Sequence, residues 1–180
     1  MVTGMRRSEL LALRWLHVDL VAGMLRIRRN YVEGVEKDTK THQMRRIALD
    51  EATVEVLTAH HQRYEATVKE LDQEPREDAF LFSYALLHDR PCSPDAVSHR
   101  YAKMCAGLGI DRYLHALRHY TATELISAGV DLRAVAGRLG HGGGGATTLR
   151  VYTAWVNETD RRAAQILGTR LPRPGRTSAD

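Results

Sequence analysis

TGMRRSELLALRW, residues 3–15, is the stretch on which the reading of the whole chain turns. A threonine–glycine turn delivers Arg6 just ahead of a run of helix formers. Leu10, Leu11 and Leu13 lie close together in that run, so a short helix over 8–15 is expected. An arginine at the mouth of a helix can aim its guanidinium at an anion alongside the N–H groups of the first turn. Alone this is a weak signal, because most arginines are solvated surface charges.

Downstream, MLRIRRNY at 24–31 alternates apolar and basic residues, and MRRIAL at 44–49 resumes a strand-like composition after the polar stretch from Glu33 to Gln43. The pattern predicts an antiparallel pair joined by a basic turn. Asp50 caps a predicted helix over 51–72, with Val54, Leu57, His61, Val68 and Leu71 as its apolar stripe. An acidic linker runs through Asp78 into the apolar FLFS, and Ser93-Pro94 opens a helix to about Ala106. Further helices are expected over 114–128 before Gly129, over 131–139 before Gly140, over 146–156 after the glycine run, and over 157–167. The fold class read from these elements is α+β, mostly α-helical with a small antiparallel β-sheet.

Other polar residues join Arg6 along this frame. Lys40 sits in the polar turn between the expected strands, where a lysine ordinarily serves solubility. The neighbouring Arg45 and Arg46 make the hairpin tip cationic and suited to a DNA groove. In LHALRHY, residues 114–120, His115 and Arg118 are three apart and project from one side of a helix. An imidazole and a fork-shaped guanidinium can there share one phosphate. His141 opens the loop HGGGG. The lysine and hydroxyl residue of a nucleotide-binding P-loop do not follow it, which excludes that motif. Tyr152 shares a helix face with Leu149 and Val156, a pattern equally found in core tyrosines.

The bulk figures fit this picture without dictating it. One domain is the default for 180 residues of which 43% are hydrophobic. A net charge of +4 is compatible with a polyanionic partner and does not demand one. Its distribution says more, since 25–50 hold seven basic against four acidic side chains and 51–78 hold three against eight, so one face attracts phosphate and another repels it. Cys92 and Cys105 have no paired spacing, so neither a disulfide framework nor a thiolate metal site is indicated. No apolar run reaches membrane-spanning length and no leader pattern opens the chain, which reads as cytoplasmic.

Taken in order, Arg6, Lys40, His115-x-x-Arg118, His141 and Tyr152, with the phrases TG-x-R-x-SE-x-x-x-L-x-W, LGH and TTLR-x-Y, resemble the catalytic domain of the tyrosine recombinases, the phage integrase family. The resemblance covers about residues 3–156. It implies that Arg6, Lys40, His115, Arg118 and His141 activate a DNA phosphate. Tyr152 would be the nucleophile that forms a 3′-phosphotyrosyl link during site-specific recombination or integration. It implies double-stranded DNA attachment sites as substrate, a monomer in solution and a homotetramer on DNA, and no cofactor or metal. The absence of a carboxylate cluster agrees with that last point. A type IB topoisomerase has the same chemistry, and an inactive remnant that only binds DNA is the non-enzymatic alternative.

Two departures from the family pattern stand out. The glycine run places Tyr152 eleven positions after His141, slightly more than the usual spacing. Met1 lies five residues before Arg6, so the chain reads as a catalytic domain over 1–171 lacking its first helices and the N-terminal core-binding domain, with 172–180 a disordered basic tail. Such a chain is expected to bind DNA weakly and to recombine little on its own.

Overall fold

The computed structural model describes residues 3–32, 34–38 and 44–141. Lys40, Tyr152, the helices expected over 146–156 and 157–167, and the 172–180 tail lie outside the described residues.

Helix α1, Arg7–Leu11, is shorter than its sequence suggested, and Trp15–His17 follow as one 3₁₀ turn. The chain between them is extended, because Leu13 and Trp15 are engaged by a neighbouring segment. Leu13 O accepts from Leu81 N at 2.8 Å, and Trp15 N donates to Ala79 O at 3.1 Å. Two short sheets come next. One has the order β1 (Val18–Asp19), β2 (Met24–Ile27), β5 (Arg45–Ala48), all antiparallel. The other is the hairpin of β3 (Arg29–Val32) and β4 (Val35–Asp38).

The sequence pointed to a single strand over 24–31 and a turn through 33–43, and here the structure differs. Leu25 and Ile27 face the core, but Arg28 and Arg29 are consecutive exposed cations, so the alternation breaks and the chain leaves the first sheet. Strand β4 has no apolar alternation to announce it. Its Glu36 is instead held by Arg29 at 2.9 Å and by Arg14, an electrostatic anchor that strand patterns do not reveal.

The helices follow their punctuation closely. Helix α2, Glu51–Glu70, starts where the Asp50 side chain accepts from Thr53 N at 3.0 Å. Helix α3, Pro94–Gly107, is capped by Ser93, with proline in its first turn. Helix α4, Leu114–Ser127, ends before Gly129, and α5, Leu132–Leu139, runs from its Asp131 cap to Gly140 in the left-handed conformation.

Leu13, Leu25, Ile27, Ile47, Leu57 and Leu81 form the main core, where the first sheet is covered by α2. Leu57, Tyr64 and Val68 carry the helix side of it, whereas Leu71 is exposed. A smaller cluster of Ala122, Val135 and Leu139 joins α4 to α5, and α5 also packs on β5. Helix α1 packs on β3 and α3. The N-terminus of α1, the C-terminus of α5, β5 and α4 therefore meet at one place. Ile47 is fully buried at the centre of the sheet, so Ile47→Ala is expected to lower the unfolding free energy in urea by about 2–5 kcal/mol. Val56→Ala, on the exposed side of α2, should change it by no more than about 0.5 kcal/mol.

Candidate active site

Arg6 is the residue that begins α1, with extended backbone (φ −74°, ψ 151°) ahead of the first helical turn. Three positions on, Glu9 turns back toward it. The Arg6 N–H donates to Glu9 Oε2 at 2.8 Å and its Nη1 donates to Glu9 Oε1 at 2.9 Å. Arg6 Nη2 donates across the fold to Gly140 O at 2.9 Å. The two ends of this ion pair differ in exposure: the Arg6 side chain is 42% accessible and that of Glu9 is 1%. Arg6 thus keeps a guanidinium edge toward solvent while its backside is fixed.

Glu9 has a second cation. Arg45 clasps it with both terminal nitrogens, Nη1 to Oε1 at 2.7 Å and Nη2 to Oε2 at 2.5 Å, and its Nε donates to Arg138 O at 3.0 Å. Burial raises the Glu9 pKa, but the hydrogen bonds and charge of Arg45, followed by those of Arg6, outweigh it and leave the carboxyl below its ordinary range. Arg46, next along β5, is exposed.

Helix α4 supplies the other wall. Arg118 is buried, and its Nη1 donates to Gly4 O at 2.7 Å. Gly4 has a positive φ of 61°, and a Cβ there would collide with Leu139 of α5. The Thr3-Gly4 turn therefore needs glycine both for its conformation and for close packing. His115, one turn before Arg118, is exposed and meets the His119 ring edge-on at 5.1 Å. An open cleft of about 430 Å³ lies between the walls, lined by Gly4, Arg6, Arg7, Ser98, His115 and Arg118 among others. Arg7 donates to Ser98 Oγ at 2.6 Å and thereby seats α1 on α3.

His141 follows the left-handed Gly140, and its N–H closes the end of α5 on Ala136 O at 3.0 Å. Its pKa is pushed down to about 4, by burial first and then by the charges of Arg118, Arg6, Arg45 and His115. His115, though its side chain is largely exposed, is also lowered, by the partial desolvation of its ring against the cleft and then by His119, Arg118 and Arg6. Arg6 reaches the Gly140 carbonyl beside His141, and His115 lies one turn before Arg118 on α4, so the charges of Arg6 and Arg118 bear on both rings. Four of the six residues singled out as catalytic from the sequence come together, and the other two, Lys40 and Tyr152, lie outside the described residues.

The sequence reading missed the part played by Glu9 and the direction of Arg45. A signal existed for each. Glutamate at the third helical position is a capping-box position, able to reach back to the residue that starts the helix. In β5 the alternation puts Arg45 on the face of Ile47, which is fully buried, and sends Arg46 the other way. Chemically the arrangement suits an anion. Arg6, Arg118 and His115 line a small cleft, His141 lies close enough to feel their charge, and the Glu9 carboxylate is sealed behind Arg6.

The neutral imidazoles have a consequence for stability. In the unfolded chain His141 takes a proton near pH 6.5, while in the fold it resists until about 4. Over that window the unfolded state binds more protons, so stability contributed by the neutral ring is present above pH 6.5 and is lost as pH falls toward 4. His17, His88 and His115 are lowered too and add to the slope. His141→Gln should flatten part of the fall in melting temperature between pH 6.5 and 4; an unchanged slope would show that the ring is not held neutral.

Residues 1–158 match the phage integrase family. The chain is 31% identical over 153 residues to tyrosine recombinase XerD of Staphylococcus aureus strain N315, covering 84% of this chain and 46% of XerD. It is 28% identical over 157 residues to the ICEBs1 integrase of Bacillus subtilis strain 168, covering 84% and 42% respectively. The chain spans less than half the length of these relatives. Among solved structures, XerA recombinase superposes with a TM-score of 0.62 at 25% identity over 96% of this chain and 55% of that one. XerH site-specific recombinase bound to its difH substrate gives 0.64 at 25% identity over 92% and 44%. With a family match that runs from the first residue through the whole described site, the chain belongs to the phage integrase family.

Proposed function

We propose that this chain cleaves and rejoins DNA at specific attachment sites through a covalent 3′-phosphotyrosyl link to Tyr152. The observation that carries the reading is the convergence of Arg6, Arg118 and His115 on one cleft, beside the Gly140–His141 turn that Arg6 grips, with Arg6 and Arg118 anchored to main-chain carbonyls rather than left as mobile surface charges. A phosphodiester resists attack because its charge repels nucleophiles and its alkoxide leaves reluctantly. An enzyme must therefore supply fixed donors where charge concentrates.

Two of the five N–H donors of Arg6 are fixed on Glu9 and Gly140, and its remaining edge, with Arg118, takes the non-bridging oxygens. The Tyr152 oxygen bonds to phosphorus as the bond from phosphorus to the 5′ oxygen breaks. His115, neutral because its pKa is lowered, accepts the phenolic proton, and His141 adds a hydrogen bond. Lys40 returns a proton to the departing 5′ oxygen. The phosphotyrosyl ester keeps enough reactivity for a second strand's 5′ hydroxyl to reverse the step.

Exposed Arg46 belongs to the DNA-facing surface in this reading. Assembly as a tetramer on the attachment sites is part of the same proposal. In support, XerH is described bound to a palindromic difH substrate, and a palindrome engages copies of a protein related by a two-fold axis. Among the described residues no helix is long and apolar enough to cross a membrane, and no group of histidine, cysteine or acidic side chains could hold a metal ion.

The test is adduct formation on a nicked attachment-site duplex with EDTA present. The chain should yield a protein–DNA species that survives denaturation, and Tyr152→Phe should abolish it while leaving DNA affinity in place. Undiminished adduct from the Phe variant would refute the assignment of the nucleophile. Arg118→Lys keeps the charge but loses the fork, so single-turnover cleavage should drop by about 100-fold or more, as when one transition-state donor is removed. Cleavage by the Lys variant at the native rate would reduce Arg118 to a structural cation.

A further inference from the structure

Arg45 stands at a point where three parts of the cleft are joined. Its guanidinium closes on both oxygens of Glu9, which in turn holds Arg6 by main chain and side chain. The same guanidinium donates from Nε to the carbonyl of Arg138, two residues before the Gly140 carbonyl that receives Arg6 and three before His141. Only 12% of the Arg45 side chain is accessible. Its planar group lies so close to Gly140 that a Cβ at that position would collide with it, so the left-handed glycine after α5 makes room for this arginine as well as ending the helix.

We infer that Arg45 is a positioning residue, which acts through Glu9 on Arg6 and through the Arg138 carbonyl on the His141 segment, and which does not itself contact DNA. The inference rests on the recombinase reading above for the reaction that it supports. A fork of fixed geometry can hold all three elements at once, because its two terminal nitrogens grip the carboxylate while Nε reaches the carbonyl, and an ammonium group has no such fork. Loss of the clasp would let the α1 mouth and the α5 end drift apart. A displacement of about 1 Å in a reacting site is enough to slow chemistry on the order of a hundredfold.

The experiment separates positioning from DNA binding. With the 180-residue chain on nicked attachment-site DNA, Arg45→Gln should slow single-turnover adduct formation at saturating DNA by about 10- to 100-fold. Its Kd should stay within about a factor of two, since the phosphate contacts are elsewhere. Arg45→Lys should recover part of the rate by keeping the charge. Glu9→Gln/Arg45→Gln should be no slower than the worse single variant, because both act through one clasp. Arg46→Gln, by contrast, should raise Kd.

If Arg45→Gln raises Kd and lowers the salt slope while the saturated rate is native, Arg45 is a DNA ligand and the inference is wrong. Fully multiplicative losses in the double variant would also overturn it. Should Arg45→Gln melt before it can be assayed, the Lys variant carries the same rate-against-Kd comparison. A native chain that forms no adduct overturns the recombinase reading and the catalytic part of this inference together. The clasp would then stand or fall on whether the Glu9→Gln and Arg45→Gln shifts in melting temperature are non-additive.

Discussion

A carboxylate with 1% of its side chain in contact with water stays ionised only if other charges and donors replace the solvent it has lost. Glu9 meets that condition with two arginines drawn from opposite directions, Arg6 at the start of its own helix and Arg45 on a strand 36 residues away. The arrangement is stringent. Taking away one partner of a buried pair typically costs about 3–5 kcal/mol, because the charge left behind has nowhere to be solvated. Helix α1, strand β5 and the end of α5 are therefore held to one another by the requirement that this carboxylate be satisfied. The cleft in front of it inherits their rigidity.

The cations gathered at the site are held in a consistent way. Arg6 reaches the Gly140 carbonyl, Arg118 the Gly4 carbonyl and Arg45 the Arg138 carbonyl. Main-chain oxygens at a turn and at a helix C-terminus are acceptors whose own partners are missing, and their partial negative charge suits a guanidinium. Anchoring there fixes a long side chain without neutralising it. The site thus carries several positive groups at close quarters, and the lowered pKa values of His115 and His141 are the consequence of adding imidazoles to that field. An anion that entered would relieve the repulsion.

Much of the fold was legible because helices announce their ends. Asp50, Ser93, Asp131 and Gly140 each mark a boundary where the structure places one. What the sequence concealed was local pairing without apolar pattern. Strand β4 is held by Glu36 between Arg14 and Arg29, and the strand expected over 24–31 breaks at Arg28. At the site, Arg6, His115, Arg118 and His141 could be picked out because their local phrases are specific. The inward direction of Arg45 is legible only through alternation: beside Arg46 it reads as half of a basic tip, although its partner in period is buried Ile47.

The bonds that assemble the site span 134, 114 and 93 residues of sequence for Arg6–Gly140, Arg118–Gly4 and Arg45–Arg138. None can form within a single element. The first turn of α1 has too few residues to be stable alone, and α5 has only eight. Both are held by tertiary packing, since the small α4–α5 core sets Leu139 against Gly4, where no Cβ stands in the way. The two glycines and Glu9 thus act together. The glycines let side chains, Leu139 at Gly4 and Arg45 at Gly140, lie against bare backbone, and the carboxylate sets which arginines reach across. An electropositive cleft made this way exists only in the folded chain, since the cations that line it are gathered from distant segments against their own repulsion.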